Sequence, residues 1–218
     1  MSVFTRAGKL ELLPLNDLVK SSEIDQAAWN YEFIIGKISH QRFKILLSLL
    51  GNSEVDNLLS IGYGSGIFFP ELRKHVKNLY GIDVHNKNNE VMEKLAKYGI
   101  ASNLIQCDAA DIPLSDKLFD VCIAISSMEF VDNIDLACQE VLRILKDNGK
   151  FIVVTPTTSS IADMGLKILT GRSAETDYNG RRKNLIPTLM KYFKVEKELT
   201  FPRISALKLY TGLKLIKK

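Results

Sequence analysis

The sequence predicts an α/β fold built on a doubly wound, mostly parallel sheet that closes with a C-terminal antiparallel hairpin strand. Three observations predict it. From Val55 onward, short apolar runs alternate with amphipathic segments, the pattern of successive βαβ units. The apolar run 58–61 passes directly into glycines at alternate positions, Gly62, Gly64 and Gly66. Finally, the strand-like runs 195–201 and 206–215 are joined by a connection containing Pro202 that is too short for a crossover helix, so they must pair antiparallel. A chain of 218 residues fits one domain, 1–218, around one core.

Taken in order, Ser22 and Asp25 mark a helix start, with Ile24, Ala28, Tyr31 and Ile35 on one face. Phe43, Leu46, Leu47 and Leu50 define a second helix that stops at Gly51. Parallel strands are expected at 55–61, 78–82, 102–107, 121–125 and 150–154. A helix should follow the glycines and carry His75. Another presents Val91, Met92, Leu95 and Tyr98 before Gly99, and a third presents Ile134, Ala137, Val141 and Leu145 and ends near Gly149. Residues 156–193 interrupt the strands with a helical piece at 161–169 and a polar stretch at 171–183, expected above the carboxyl edge of the sheet.

Composition excludes several classes. The apolar fraction of 46% and charged fraction of 25% are ordinary globular values, and no apolar run reaches membrane-spanning length. Residues 1–20 lack the features of a secretory signal, so a cytoplasmic location is expected. Cys107, Cys122 and Cys138 match no zinc-ligand spacing and read as buried thiols; no metal is expected. The net charge of +4 belongs to the tail, where Arg203, Lys208, Lys214, Lys217 and Lys218 occur with no acid; a solvated strand edge and chain end accounts for it.

The glycine turn carries the chemistry. Gly62 permits a sharp turn off the strand, Gly64 removes a Cβ from the path of a ligand, and Gly66 allows close packing at the helix start, a Rossmann-like arrangement for a nucleotide-like ligand. Asp83 ends the second strand twenty-one residues after Gly62, where its carboxylate can accept from both ribose hydroxyls. Asp108, beyond the third strand, can meet an exocyclic amine.

With these residues the sequence resembles the class I S-adenosylmethionine-dependent methyltransferases of the small, stand-alone type. The resemblance implies that Gly62, Tyr63, Gly64, Gly66, Asp83, Val84, Asp108, Ala109 and Ser126 bind S-adenosylmethionine, which leaves as S-adenosylhomocysteine. It also implies the terminal hairpin, which a nicotinamide-binding domain normally lacks. Two positions depart from the family pattern. Ser60 stands where an acid usually helps hold the cofactor ammonium, so either a weaker electrostatic hold on that end or a compensating acid nearby is expected. Phe130 stands where relatives often have histidine, so no catalytic base carries over.

Candidate bases are His85, His40, Glu129 and Asp132, with a satisfied or solvated role the simpler account for each. Acceptor recognition is expected from the N-terminal helices, 1–51, and the insertion 156–193, as acceptor-binding or lid elements. Trp29, Tyr31 and Phe33 could close over an apolar acceptor, and Arg172, Arg181, Arg182 and Lys183 could meet an anionic one. The expected function is methyl transfer to a small molecule, with no membrane partner. The alternatives are an RNA or protein methyltransferase, or a noncatalytic S-adenosylmethionine-binding regulatory module.

Overall fold

The computed structural model describes residues 5–7, 10–22, 25, 27–51, 55–157, 181–202 and 208–218. Seven strands form one sheet. They are β3 (Val55–Ile61), β4 (Val76–Asp83), β5 (Asn103–Gln106), β6 (Phe119–Ile125), β7 (Leu145–Pro156), β8 (Phe193–Phe201) and β9 (Tyr210–Lys217), in the spatial order β5-β4-β3-β6-β7-β9-β8. The pairs from β5 through β7 are parallel, and β9 is antiparallel to both β7 and β8. The hairpin reading of the C-terminus therefore holds. The tail is not a sheet edge, however: β9 lies inside the sheet, and β8 is the edge.

Alternation along the strands creates two apolar faces. Leu58, Ile123 and Ile152 point to one side, where they pack with Phe43, Leu46 and Leu49 of α1 (Phe33–Leu50) and with Val91 and Leu95 of α3 (Asn88–Ala96). Leu59, Cys122 and Val153 point to the other side. There they meet Ala137, Cys138 and Val141 of α4 (Ile134–Ile144) and Leu185 and Leu189 of α5 (Arg181–Tyr192). Each fully buried leucine contributes roughly 1.5–3 kcal/mol of transfer free energy.

Several local expectations change. Ser22 and Asp25 do not open a helix. The Asp25 carboxylate accepts from the backbone N–H of Ser21 and of Ala27, both at 2.8 Å, bending the chain into a 3-10 turn (Ala27–Tyr31). A single 18-residue helix, α1, then runs to Gly51, whose N–H reaches the Leu47 carbonyl at 3.0 Å and whose φ is 78°. Ile24 lies outside the described residues, as does the expected helical piece at 161–169. The helix after the glycines is one turn, α2 (Phe69–Leu72), and His75 lies in the turn beyond it. Helix α4 stops at Ile144, well before Gly149, because Leu145 already takes an extended conformation and pairs with Phe119. Arg181, Arg182 and Lys183 open α5 rather than a polar loop. An N-terminal pair, β1 (Thr5–Ala7) with β2 (Leu10–Leu12), was not anticipated. It docks on α2, where the Glu11 N–H donates to the Glu71 carboxylate at 2.6 Å.

Candidate active site

Parallel register aligns the strand tips. Ile61 pairs with Ile82 on β4 and with Ala124 on β6, so Gly62, Asp83 and Ser126 leave the sheet at the same edge. Ligands bind at this carboxyl edge in open α/β sheets. Here a cavity of about 790 Å³ is lined by residues from all three tips, from the 21–29 segment, from α1 and from α5.

The three glycines divide the work. Gly62 has φ +71°, and a Cβ there would lie 2.4 Å from the Ser127 Cβ, so the turn needs glycine to pass the β6 tip. Ser127 fastens that crossing by donating its hydroxyl to the Ile61 carbonyl at 2.6 Å. At Gly64, φ is +55°, and among the described residues the only atom within 4 Å of an added Cβ is the Ser21 Oγ at 3.7 Å; its bare main chain faces the cavity. Gly66 packs against Val91 of α3, 3.1 Å from where its Cβ would stand, so the close contact is with α3 rather than with its own following turn.

Asp83 and the glycine turn converge. The Gly64 N–H donates to Asp83 Oδ2 at 2.8 Å, and both residues line the cavity. Asp108 lines it too, with Oδ1 accepting from the Ala110 N–H at 2.8 Å. Ala109 is buried beside it. Val84 is 68% exposed at the cavity wall, an apolar side chain without cover. Ser126 has φ +51° and a buried hydroxyl with no hydrogen-bond partner among the described residues. The Tyr63 hydroxyl and Ser65 Oγ are likewise buried without hydrogen-bond partners among the described residues, and burial followed by the Asp83 charge pushes the Tyr63 phenol well above its ordinary value. Ser60 lines the cavity as expected, and Asp25 is an acid on the same lining, held against Ser21 beside Gly64.

The candidate bases separate. In His85, Nδ1 accepts the Lys87 N–H at 3.1 Å, which places the ring hydrogen on Nε2 opposite the Gly64 carbonyl at 3.0 Å. The ring is therefore a brace for the glycine turn. His40 is buried outside the cavity lining, and burial lowers its pKa. Asp132 stands at the rim, paired with Arg181. Glu129 is fully buried behind the wall, with Oε2 accepting from Thr155 Oγ1 at 3.4 Å and Oε1 unpartnered. Burial pushes its carboxyl up to about 7. Burial also raises the Cys107 thiol, to about 11.

The acceptor-side residues separate as well. Trp29 lines the cavity; the Tyr31 hydroxyl instead donates to the Leu13 carbonyl, and Phe33 points into solvent at 79% exposure. Arg182 lines the cavity and donates to the Thr157 carbonyl at 2.8 Å, while Lys183 is exposed and Arg172 lies outside the described residues. Arg42 is a cavity residue that sequence reasoning missed. The signal was present, because residue 42 falls on the face of α1 that carries Ile35 and Ile38.

The fold is a Rossmann-like α/β domain with a cavity at the carboxyl edge of its parallel strands. Residues 59–153 match the family described as "Methyltransferase domain". The chain is similar to the sterol 4-C-methyltransferase strm-1 of Caenorhabditis elegans, 31% identical over 147 residues that make up 62% of this chain and 44% of that protein. It is also similar to a ubiquinone biosynthesis O-methyltransferase of Rickettsia prowazekii, 29% identical over 64% of this chain and 58% of that one. The chain spans about half the length of the curated relatives it matches. Among solved structures, the N-methyltransferase NodS of Bradyrhizobium japonicum in complex with S-adenosyl-L-homocysteine shares the fold, with a TM-score of 0.62 and 17% identity over 89% of this chain and 93% of that one.

Proposed function

We propose that this chain is an S-adenosylmethionine-dependent methyltransferase acting on a small-molecule acceptor. The observation that carries the reading is the convergence of the Gly64 backbone and the Asp83 carboxylate, 2.8 Å apart, on one cavity. The residues present fit the cofactor. Gly64 leaves open the space a Cβ would fill, Val84 offers an uncovered apolar surface to a base, and Tyr63, Ser65 and Ser126 hold buried hydroxyls that lack hydrogen-bond partners among the described residues. Buried polar groups are costly when unpaired, so a polar ligand at these hydroxyls is favoured.

In this reading Gly62, Tyr63, Gly64 and Gly66 form the cradle, Asp83 accepts from the ribose hydroxyls, Val84, Asp108 and Ala109 bound the adenine, and Ser126 borders the methionine end. Asp25, on the lining close to Gly64, is the acid that offsets Ser60. The bound cofactor supplies a methyl carbon made electrophilic by its sulfonium. The chain's own contribution is to align the acceptor nucleophile and exclude water. His85 steadies the glycine turn and takes no proton from the acceptor.

Residues 1–218 act as one domain, in which α1 and α5 form the acceptor wall. The relatives named for a sterol and for ubiquinone biosynthesis support a small acceptor. A nucleic-acid acceptor is less favoured because three of the tail lysines have partners within the chain: Lys214 pairs with Glu196, and Lys217 and Lys218 donate to the Leu145 and Lys191 carbonyls. Free thiols at Cys107, Cys122 and Cys138 suit a reducing cytoplasm. No described helix is long and apolar enough to cross a membrane.

Calorimetric titration with S-adenosylhomocysteine, together with transfer of a labelled methyl group to fractionated metabolites, tests the reading. Saturable binding and a labelled product that does not depend on salt are expected. Absence of cofactor binding refutes the reading. Binding without transfer to any acceptor leaves the noncatalytic module in its place.

A further inference from the structure

We infer that the acceptor is an apolar molecule bearing one anionic group, carboxylate or phosphate, and that Arg42 receives this group on the cavity wall formed by α1, α5 and the end of β7. The inference rests on the acceptor reading of the cavity given above.

Arg42 lies on α1 in the cavity lining, and its Nε is buried with no hydrogen-bond partner among the described residues. Among the described residues no carboxylate forms an ion pair with it. Its near companion is the Phe43 ring, 4.9 Å from the guanidinium carbon. A guanidinium presents five donors in a planar fork, and a buried donor of that fork without an acceptor, as at Arg42 Nε, is unfavourable unless a ligand completes it. Carboxylate and phosphate match that fork in two parallel hydrogen bonds.

The surroundings favour an anion on the ligand over one from the protein. Arg42 and Arg182 line the same cavity, and the charge of each pulls the Glu129 carboxyl down. That carboxyl is nevertheless fully buried behind the wall and makes its hydrogen bond to Thr155 instead. Burial holds that carboxyl up to about 7, so near neutrality it offsets the Arg42 charge only in part. Arg182 supplies a second guanidinium, anchored through Nη2 to the Thr157 carbonyl at 2.8 Å. Apart from Ser39 one turn before Arg42, α1 contributes Ile35, Ile38 and Phe43 to the cavity lining, which also includes the apolar Phe68, Phe69 and Leu72. An aliphatic or aromatic body fits among these side chains, with its charged end at Arg42.

The test uses the full chain and three probes with the same alkyl body: decanoate, decyl phosphate and decan-1-ol. Each is titrated calorimetrically with and without saturating S-adenosylhomocysteine. At least one anionic probe is expected to bind about 10-fold or more tighter than the alcohol, the gain of charge-assisted hydrogen bonds. In Arg42→Met, which keeps the stem but removes the charge, the preference should fall to about 2-fold or less with alcohol affinity little changed, and Arg42→Lys should restore part of it. Which anion is preferred assigns the head group as carboxylate or phosphate. Equal affinities for anion and alcohol in the unaltered protein, no binding of either anion, or a preference that survives Arg42→Met, would overturn the inference. S-adenosylhomocysteine affinity should be the same in Arg42→Met, which also reports that the variant folds. Failure of S-adenosylhomocysteine to bind the unaltered protein defeats the cofactor reading instead, and the probe comparison without it then decides the anion site separately.

Discussion

Replacing Glu129 by glutamine should make the protein more stable at alkaline pH and change little at acid pH. The Glu129 side chain has no exposed surface and one oxygen without a partner. Desolvation raises its carboxyl from the ordinary 4.5 to about 7, outweighing its own backbone N–H, Arg182, Thr155 and Arg42, all of which pull it down. The sign follows from proton linkage. Below pH 4.5 the carboxyl is protonated in both folded and unfolded chains and costs nothing. As pH rises, the unfolded chain ionises first, so stability is lost until about pH 7, where the folded carboxyl also ionises, and is level above that. The full loss is about 3 kcal/mol at 1.36 kcal/mol for each tenfold step in proton affinity. Glutamine keeps the shape without the ionisation. Urea unfolding of both proteins at pH 4 and pH 8.5 should show the stability difference, variant minus unaltered, shifting by about 3 kcal/mol in favour of Glu129→Gln at the higher pH. A difference independent of pH would refute the reasoning, because it would mean the carboxyl titrates alike in both states.

Asp83→Ala should weaken S-adenosylhomocysteine binding by about 100-fold or more, since charge-assisted hydrogen bonds to the ribose and to the Gly64 N–H are lost together; calorimetry showing unchanged affinity would count against the cofactor's placement. Gly64→Ala and Gly62→Ala should part company. The first costs about 1–2 kcal/mol for a left-handed residue and still abolishes binding, because its Cβ enters the ligand space. The second forces a Cβ to within 2.4 Å of Ser127 and should lower stability by about 2–5 kcal/mol, read as a fall in urea midpoint. His85→Ala should loosen cofactor binding while leaving the pH profile of methyl transfer unshifted, because both ring nitrogens are engaged with backbone; a lost or displaced limb in that profile would make His85 the base instead.

The sequence by itself determined the features that local chemistry encodes. Strand β3 begins and ends where its apolar run predicts, and the Gly51 stop of α1 follows from the need for a residue of positive φ. The glycine turn and Asp83 were legible too, because spacing within a βαβ unit sets which strand tip a residue occupies. Other features depended on partners distant along the chain, and only the tertiary structure decided those. The start of α1 moved because the Asp25 side chain captures the Ser21 and Ala27 backbone before a helix can form. Histidine 85 became a brace because Gly64, twenty-one residues away, offers its carbonyl. Glu129 is buried under α5 and β7, and Arg42 meets no carboxylate among the described residues on the cavity wall, by packing between segments whose periodicity carries no record of one another. Local pattern states which face of an element is apolar; whether a charge on that face finds a counter-ion, a solvent shell or an empty cavity depends on which elements meet, and that is fixed only when the chain has folded.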